Sequence, residues 1–178
     1  MASTFLLVFK RFIFLVLLQV LIFNKFDLFG IYNPYICLVF ILTFPVKTSK
    51  ISFMAVAFAF GFTLDLFSNS LGLNTTACLT VAFLRSYIMS FIFGGFFDPL
   101  GLKLIKNYVS DSSFSQKILY VSSIILIHHF ILFSLEAFSL KHMSTVMLKT
   151  IITYLLSAFF CTTLIYITVS YTHLTLPT

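Results

Sequence analysis

Gly61-Phe62-Thr63-Leu64-Asp65-Leu66-Phe67-Ser68-Asn69-Ser70-Leu71-Gly72 is the stretch that decides the fold. It closes an apolar run that begins at Phe53, breaks into the turn Ser68 to Gly72, and is followed by apolar sequence again. The pattern is that of a helical hairpin. Asp65 says what surrounds it: an ionisable carboxylate at membrane depth costs about 2.5–3.5 kcal/mol, so it is kept there as a paired or functional group.

Composition agrees that the solvent is lipid. Hydrophobic residues make up 60% of the chain and charged residues 9%, whereas soluble domains run near roughly 45–50% and 25%. The 178 residues suffice for about six spans at roughly 20 residues each, which leaves little for a soluble domain. The formal charge of +6 does not indicate nucleic acid, because the basic residues fall in ones and twos between apolar runs, without a stripe or a binding motif. Cys37, Cys78 and Cys161 all lie in apolar stretches and read as small buried hydrophobes. Without a CxxC spacing, neither zinc nor redox chemistry is indicated.

Six apolar segments follow: about Phe12 to Phe29, Ile31 to Val46, Ile51 to Phe67, Leu71 to Phe93, Ser115 to Phe138 and Met143 to Val169. They predict one all-α membrane domain over 1–169, a compact bundle of about six transmembrane helices. The second and third segments are short for full spans, so they either thin the bilayer or pack inside the bundle. Lys10-Arg11 before the first segment resembles a signal peptide, but Ile22-Phe23-Asn24 offers no small-residue cleavage site, and an uncleaved first span is expected. The polar interval Gly94 to Ser115 is the longest, and Ser113 with Gln116 has the spacing of a capping box that opens the fifth helix. With the N-terminus inside, Lys10, Arg11, Lys47, Lys50, Lys103, Lys106 and Lys117 fall on the inner side against Lys25, Lys141 and Lys149 outside. This distribution predicts both termini in the cytoplasm. The tail 170–178 lacks helical periodicity and reads as a disordered or non-native end.

Asp65 and Arg85 invite an ion pair, but on adjacent antiparallel helices their levels differ by about 15 Å at roughly 1.5 Å per residue. Arg85 is expected toward the inner side, snorkelling to head groups or pairing with the inner loop. Asp65 belongs instead to an outer polar group drawn from Lys25, Asp27, Asn69, Asn74, Thr75 and Glu136. A structural or docking role is its plain reading, and a proton relay the sharper one. For His128 and His129, the roughly 100° between adjacent helical positions argues against a shared metal, and one imidazole facing the bundle is expected. Glu136 lies too far along the helix for an H-E-x-x-H site. No nucleophile elbow or phosphate loop occurs, so no catalytic residue, metal or cofactor is expected. The 25 phenylalanines run through every span and read as bulk, not as a cofactor box. Small residues gather in the third and fourth segments (Ala55, Ala57, Ala59, Gly61, then Ala77, Cys78, Ala82), and small faces permit close helix approach, which makes this hairpin the expected centre.

The Gly61 to Gly72 string resembles the G-x-x-x-D-x-x-S-x-x-x-G segment of the rod shape-determining MreD family, with Gly61, Asp65, Ser68 and Gly72 at the matching positions and Asn69 beside them. Gln19, Asn33-Pro34-Tyr35, Leu84-Arg85 and His128-His129 through Glu136-Ala137-Phe138 are similar to the Bacteroidetes-type members, so that the resemblance covers about residues 10 to 165. Ser86 departs from it, standing where relatives often have proline. The resemblance implies a multi-pass protein of the bacterial inner membrane without enzymatic activity. It also implies partners: an MreC-like membrane protein, an MreB-like cytoskeletal protein, and the elongation synthase and transpeptidase. In this setting Lys103 and Lys106, on the inner loop, are read as head-group anchors or contacts to the cytoskeletal assembly. Two rivals stand beside this expectation: a small-solute-binding membrane subunit of a vitamin-uptake transporter, with a polar pocket built from Asp65, Asn69, Asn74 and Glu136, and a membrane-embedded hydrolase.

Overall fold

A computed structural model describes residues 2–26, 32–46, 48–94 and 113–174. The described residues form α1 (Ala2–Leu21), a 3-10 turn (Phe23–Lys25), α2 (Leu38–Leu42), α3 (Lys50–Ser68), α4 (Leu73–Phe93), α5 (Phe114–Ala137), a second 3-10 turn (Leu140–His142) and α6 (Met143–Leu174). Every helix except α2 is long and apolar enough to cross a membrane. The protein is an all-α integral membrane bundle with an apolar outer face, on which Phe14, Leu17, Phe62, Leu66 and Phe91 are exposed.

The local start and stop signals act as the residue types dictate. Ser49 caps α3 by accepting the Ser52 N–H. The Ser113–Gln116 capping box opens α5, with both reciprocal bonds present. Asn69 ends α3 in the left-handed conformation at φ 53°, which asparagine tolerates better than most residues.

The second apolar segment departs from expectation. Only Leu38–Leu42 is helical, five residues that are all buried, and the flanking chain is non-helical. It nevertheless crosses the bundle. Asn24 Nδ2 donates to Ser68 Oγ at 2.9 Å, so α1 and α3 end at the same level and run parallel. The chain between them must return through the bundle. It begins beside Gln19, near the end of α1, and arrives beside Phe53, near the start of α3, where Phe44 packs with ring centroids 4.5 Å apart. Residues 32–46 are therefore a broken crossing packed inside the bundle. The physical reason for its burial is that backbone groups without helical partners cannot face lipid. Rings close around it: Phe40 stacks on Phe60 at 4.4 Å, and Phe12 meets both edge-on.

From α3 onward the helices alternate, and Gln116 Nε2 ties the start of α5 to the Ile92 carbonyl near the end of α4. The first residues of α1 and the last of α6 consequently point to the same end of the bundle. Several boundaries differ from expectation. α1 begins at Ala2, so Lys10 and Arg11 lie within the helix and not before it. α4 runs unbroken past Ser86 to Phe93, as the absence of proline there allows. Of the small residues, Ala57, Gly61, Ala77, Cys78 and Ala82 are buried, whereas Ala55 and Ala59 face outward. α6 continues helical to Leu174, through the first residues of the tail.

Candidate functional site

The end of the bundle at which α3 hands over to α4 is organised by Asp65. α4 starts after Gly72, which at φ 89° turns the chain but has no side chain to take the orphan N–H groups of the first helical turn. Asp65 takes them from across the hairpin. Its Oδ1 accepts the Asn74 N–H at 3.0 Å and its Oδ2 the Thr75 N–H at 2.8 Å, the second and third helical positions, which an N-cap side chain would serve. Asn74 Nδ2 donates to Oδ1 at 3.1 Å, and the hydroxyls of Ser70 and Thr75 donate to one oxygen each. The Asp65 backbone carbonyl accepts the N–H groups of Asn69 and Ser70 and so ends α3. One residue stops one helix and starts the next, with its negative charge at the positive end of α4.

Gly61, one turn before Asp65, makes that reach possible. A Cβ there would lie 2.6 Å from Thr75 Cα and 2.9 Å from the Asn74 carbonyl oxygen, so only glycine lets the α4 backbone approach. Ser68 accepts from Asn24, and Leu71 at the tip is 97% exposed.

The other buried polar side chains serve the broken crossing. Gln19 donates to the Pro34 carbonyl at 3.1 Å and accepts the Cys37 N–H at 3.1 Å. Ser157 accepts the Tyr35 N–H at 2.9 Å, and the Cys161 thiol donates to the Tyr35 carbonyl at 3.5 Å. At the far end Arg85 Nη2 donates to the Phe44 carbonyl at 2.6 Å, Arg85 Nε donates to the Tyr120 hydroxyl at 2.9 Å, and Tyr120 donates to the Leu42 carbonyl. Arg85 is thus buried and bound to the chain that leads from α2 to α3, and does not snorkel. It makes no pair with Asp65. Among the described residues the ion pair is Lys149 with Glu136, at 3.1 Å.

Both histidines, not one, turn inward and are fully buried. Their Nδ1 atoms lie 3.2 Å apart, His129 Nε2 meets Ser157 Oγ at 2.9 Å, and His128 Nε2 meets Cys78 Sγ at 3.7 Å. An Nδ1–Nδ1 bond needs one ring to donate and the other to accept, so at least one imidazole is neutral. The chain of contacts joins α4, α5 and α6, while the Tyr35 ring from the broken crossing packs on both imidazoles.

At the Asp65 end lies an open cleft of about 490 Å³, bordered by Gln19, Asn24, Asn33, Ser70, Asn74 and Glu136 among others. Of the outer polar group expected from sequence, Asn74 and Thr75 bind Asp65, Asn69 caps α3, and Glu136 borders the cavity and pairs with Lys149. Lys25 is exposed, and Asp27 lies outside the described residues, as do Lys47, Lys103 and Lys106. Among the described residues no group of three His, Cys, Asp or Glu side chains is placed to hold a metal. Tyr120 and Ser157 were not evident as site residues. A hydroxyl in a span ordinarily bonds its own helix, as Thr150 and Thr153 do here, so it carries no signal of a distant partner.

The fold and site define a class: a helical membrane protein with one broken crossing, an aspartate-capped hairpin and a polar cavity at one end. No family model, curated protein or solved structure matches the chain.

Proposed function

We propose that the protein is a membrane scaffold of the bacterial cell-elongation machinery in the inner membrane, acting through contacts with an MreC-like protein and, through it and the inner loops, with an MreB-like filament and the elongation synthase and transpeptidase. One observation carries the reading: several of the residues on which the MreD resemblance rests are among those that hold this fold together. Gly61 and Asp65 join the hairpin, Gln19 and Arg85 hold the broken crossing, and His128 and His129 link three helices to Tyr35. A match at structurally decisive positions is stronger support than the same number of matches on a lipid-facing surface.

Orientation follows from charge. Lys50 and Lys117 lie toward one end of the bundle and Lys25, Lys141 and Lys149 toward the other, while Lys10 and Arg11 lie near the middle of α1; the seven-to-three distribution of basic residues along the sequence is what supports cytoplasmic termini. In this reading the protein has no chemistry of its own and offers helix faces to membrane partners. Co-purification in mild detergent tests it: an MreC-like protein is recovered with the chain, and cells lacking the chain round up. Recovery of a bound small molecule and no such partner would favour the transporter-subunit reading, for which the polar cavity is the supporting observation.

A further inference from the structure

We propose that Arg11 binds the phosphate of a lipid head group, in the half of the bundle away from Asp65. The inference rests on α1 and its surroundings and not on the scaffold reading.

The chain has two arginines, Arg11 and Arg85, and the fold places them at the same depth. Asn24 is level with Ser68, so Arg11, thirteen residues earlier, lies about 15 Å from the level of Asp65 at roughly 1.5 Å per residue. Arg85 follows Thr75, which binds Asp65, by ten residues, and this too is about 15 Å. The protein answers the two differently. Arg85 is 4% exposed, and its donors meet the Phe44 carbonyl and the Tyr120 hydroxyl. Even Lys50, at the start of α3, is held over the rings of Phe83 and Tyr87 at 4.0 and 4.4 Å. Arg11 is half-buried and makes no hydrogen bond or ion pair with any described residue. It heads the row Arg11, Leu15, Gln19, whose other members are buried, so its side chain starts from the edge of the packed face.

A full charge and its N–H donors thus sit within a span without an acceptor among the described residues, and an ionisable group at that depth is kept there by a partner. Position identifies the partner. α1 is the least buried of the described spans, and Phe5, Leu7, Phe9 and Phe14 around Arg11 are exposed, so what meets the guanidinium comes from the lipid side. The span begins at Phe5, six residues from Arg11 and about 9 Å away at roughly 1.5 Å per residue. Helical side chains lean toward the N-terminus, here toward that nearer boundary. The guanidinium therefore reaches for head groups while its stem stays among apolar groups. The anionic acceptors at that boundary are phosphate oxygens, and the guanidinium fork matches two of them. Lys10, exposed beside it, adds a second cation. The described acids, Asp65 and Glu136, both lie toward the opposite end, so a head group of net negative charge is preferred to a zwitterionic one.

The test uses the full chain, isotope-labelled at arginine, in liposomes of mixed phosphatidylglycerol and phosphatidylcholine. With two arginines in the chain, solid-state NMR gives two guanidinium signals, which Arg11→Gln assigns. The Arg11 guanidinium is expected to be dephased by lipid phosphorus and that of Arg85 to stay silent, so the sealed arginine is the internal control. Silence at Arg11, or equal dephasing of the two, would overturn the proposal. Native mass spectrometry reads the preference for negative charge. The native chain should retain phosphatidylglycerol over phosphatidylcholine, and Arg11→Gln should lower that retention roughly tenfold, the loss of one charge-assisted interaction. Arg11→Lys keeps the charge but not the fork and should fall between the two, while Lys141→Gln, toward the other end, leaves the retention unchanged. Retention of phosphatidylglycerol indifferent to Arg11→Gln would mean that the lipid is held elsewhere and would equally overturn the assignment.

Discussion

The α3–α4 hairpin and the broken crossing solve the same problem by opposite means. Both contain backbone groups that no helix satisfies. In the hairpin they are few, and a carboxylate nine positions earlier in sequence serves Asn74. In the broken crossing they are spread over residues 34–44 and are served by Gln19, Arg85, Tyr120, Ser157 and Cys161 from four helices. The hairpin is thus a local device that can form before the bundle closes. The broken crossing is satisfied only when the helices have assembled around it, which makes its order a property of the whole bundle.

The largest effect is expected at the hairpin. Asp65→Ala removes a charged acceptor from two buried backbone donors at about 1.5–3 kcal/mol each, a loss of about 3–6 kcal/mol that denaturation in mild detergent would register as misfolding. Asp65→Asn keeps one acceptor and turns an amino group toward the remaining donors, so it should fall between Ala and the native residue. Asn behaving as the native residue would break the capping account.

Next comes the broken crossing. Gln19→Leu keeps the bulk but strands the Pro34 carbonyl and the Cys37 N–H, and should cost about 2–4 kcal/mol while leaving α3 and α4 packed. If cross-linking showed the hairpin coming apart as well, the two regions would not be separable in the way described. Gly61→Ala tests the close approach on which Asp65 depends. Its methyl must push against Thr75 Cα at 2.6 Å, and overpacking of this kind costs about 1–3 kcal/mol, visible as a lowered thermal midpoint.

The smallest effect is expected where the Asp65 end of the bundle is open. Glu136 is 46% exposed, and exposed ion pairs contribute about 0–1 kcal/mol. Glu136→Gln should therefore leave the thermal midpoint nearly unchanged. A large drop would place Glu136 in the framework instead of at the rim of a cavity.

The two regions were not equally legible in the sequence. Around the hairpin, signals lie close together: Asp65, the turn after it, Gly72 and the small residues announce a membrane hairpin with a paired carboxylate, and the level argument separates Asp65 from Arg85. The second segment has the composition of a helical span but adopts a helix only at Leu38–Leu42. Asn33-Pro34 and Pro45 mark its ends, yet the groups that satisfy its backbone lie as far away as Ser157, and contacts at that separation leave no local trace. The histidine pair shows the same limit. Adjacent residues on one helix diverge, but here Ser157 and Cys78 wait on two different helices, so both rings find partners inside.

Amide hydrogen exchange at Tyr35 and Cys37 tests the broken crossing most directly. The Tyr35 N–H is held by Ser157 at 2.9 Å and the Cys37 N–H by Gln19 at 3.1 Å, two neighbouring amides whose acceptors belong to different helices. Ser157→Ala should speed exchange at Tyr35 and spare Cys37, and Gln19→Ala should do the reverse. Exchange that is slow at both amides in both variants would mean that the segment is an ordinary helix whose own carbonyls protect it, contradicting the account.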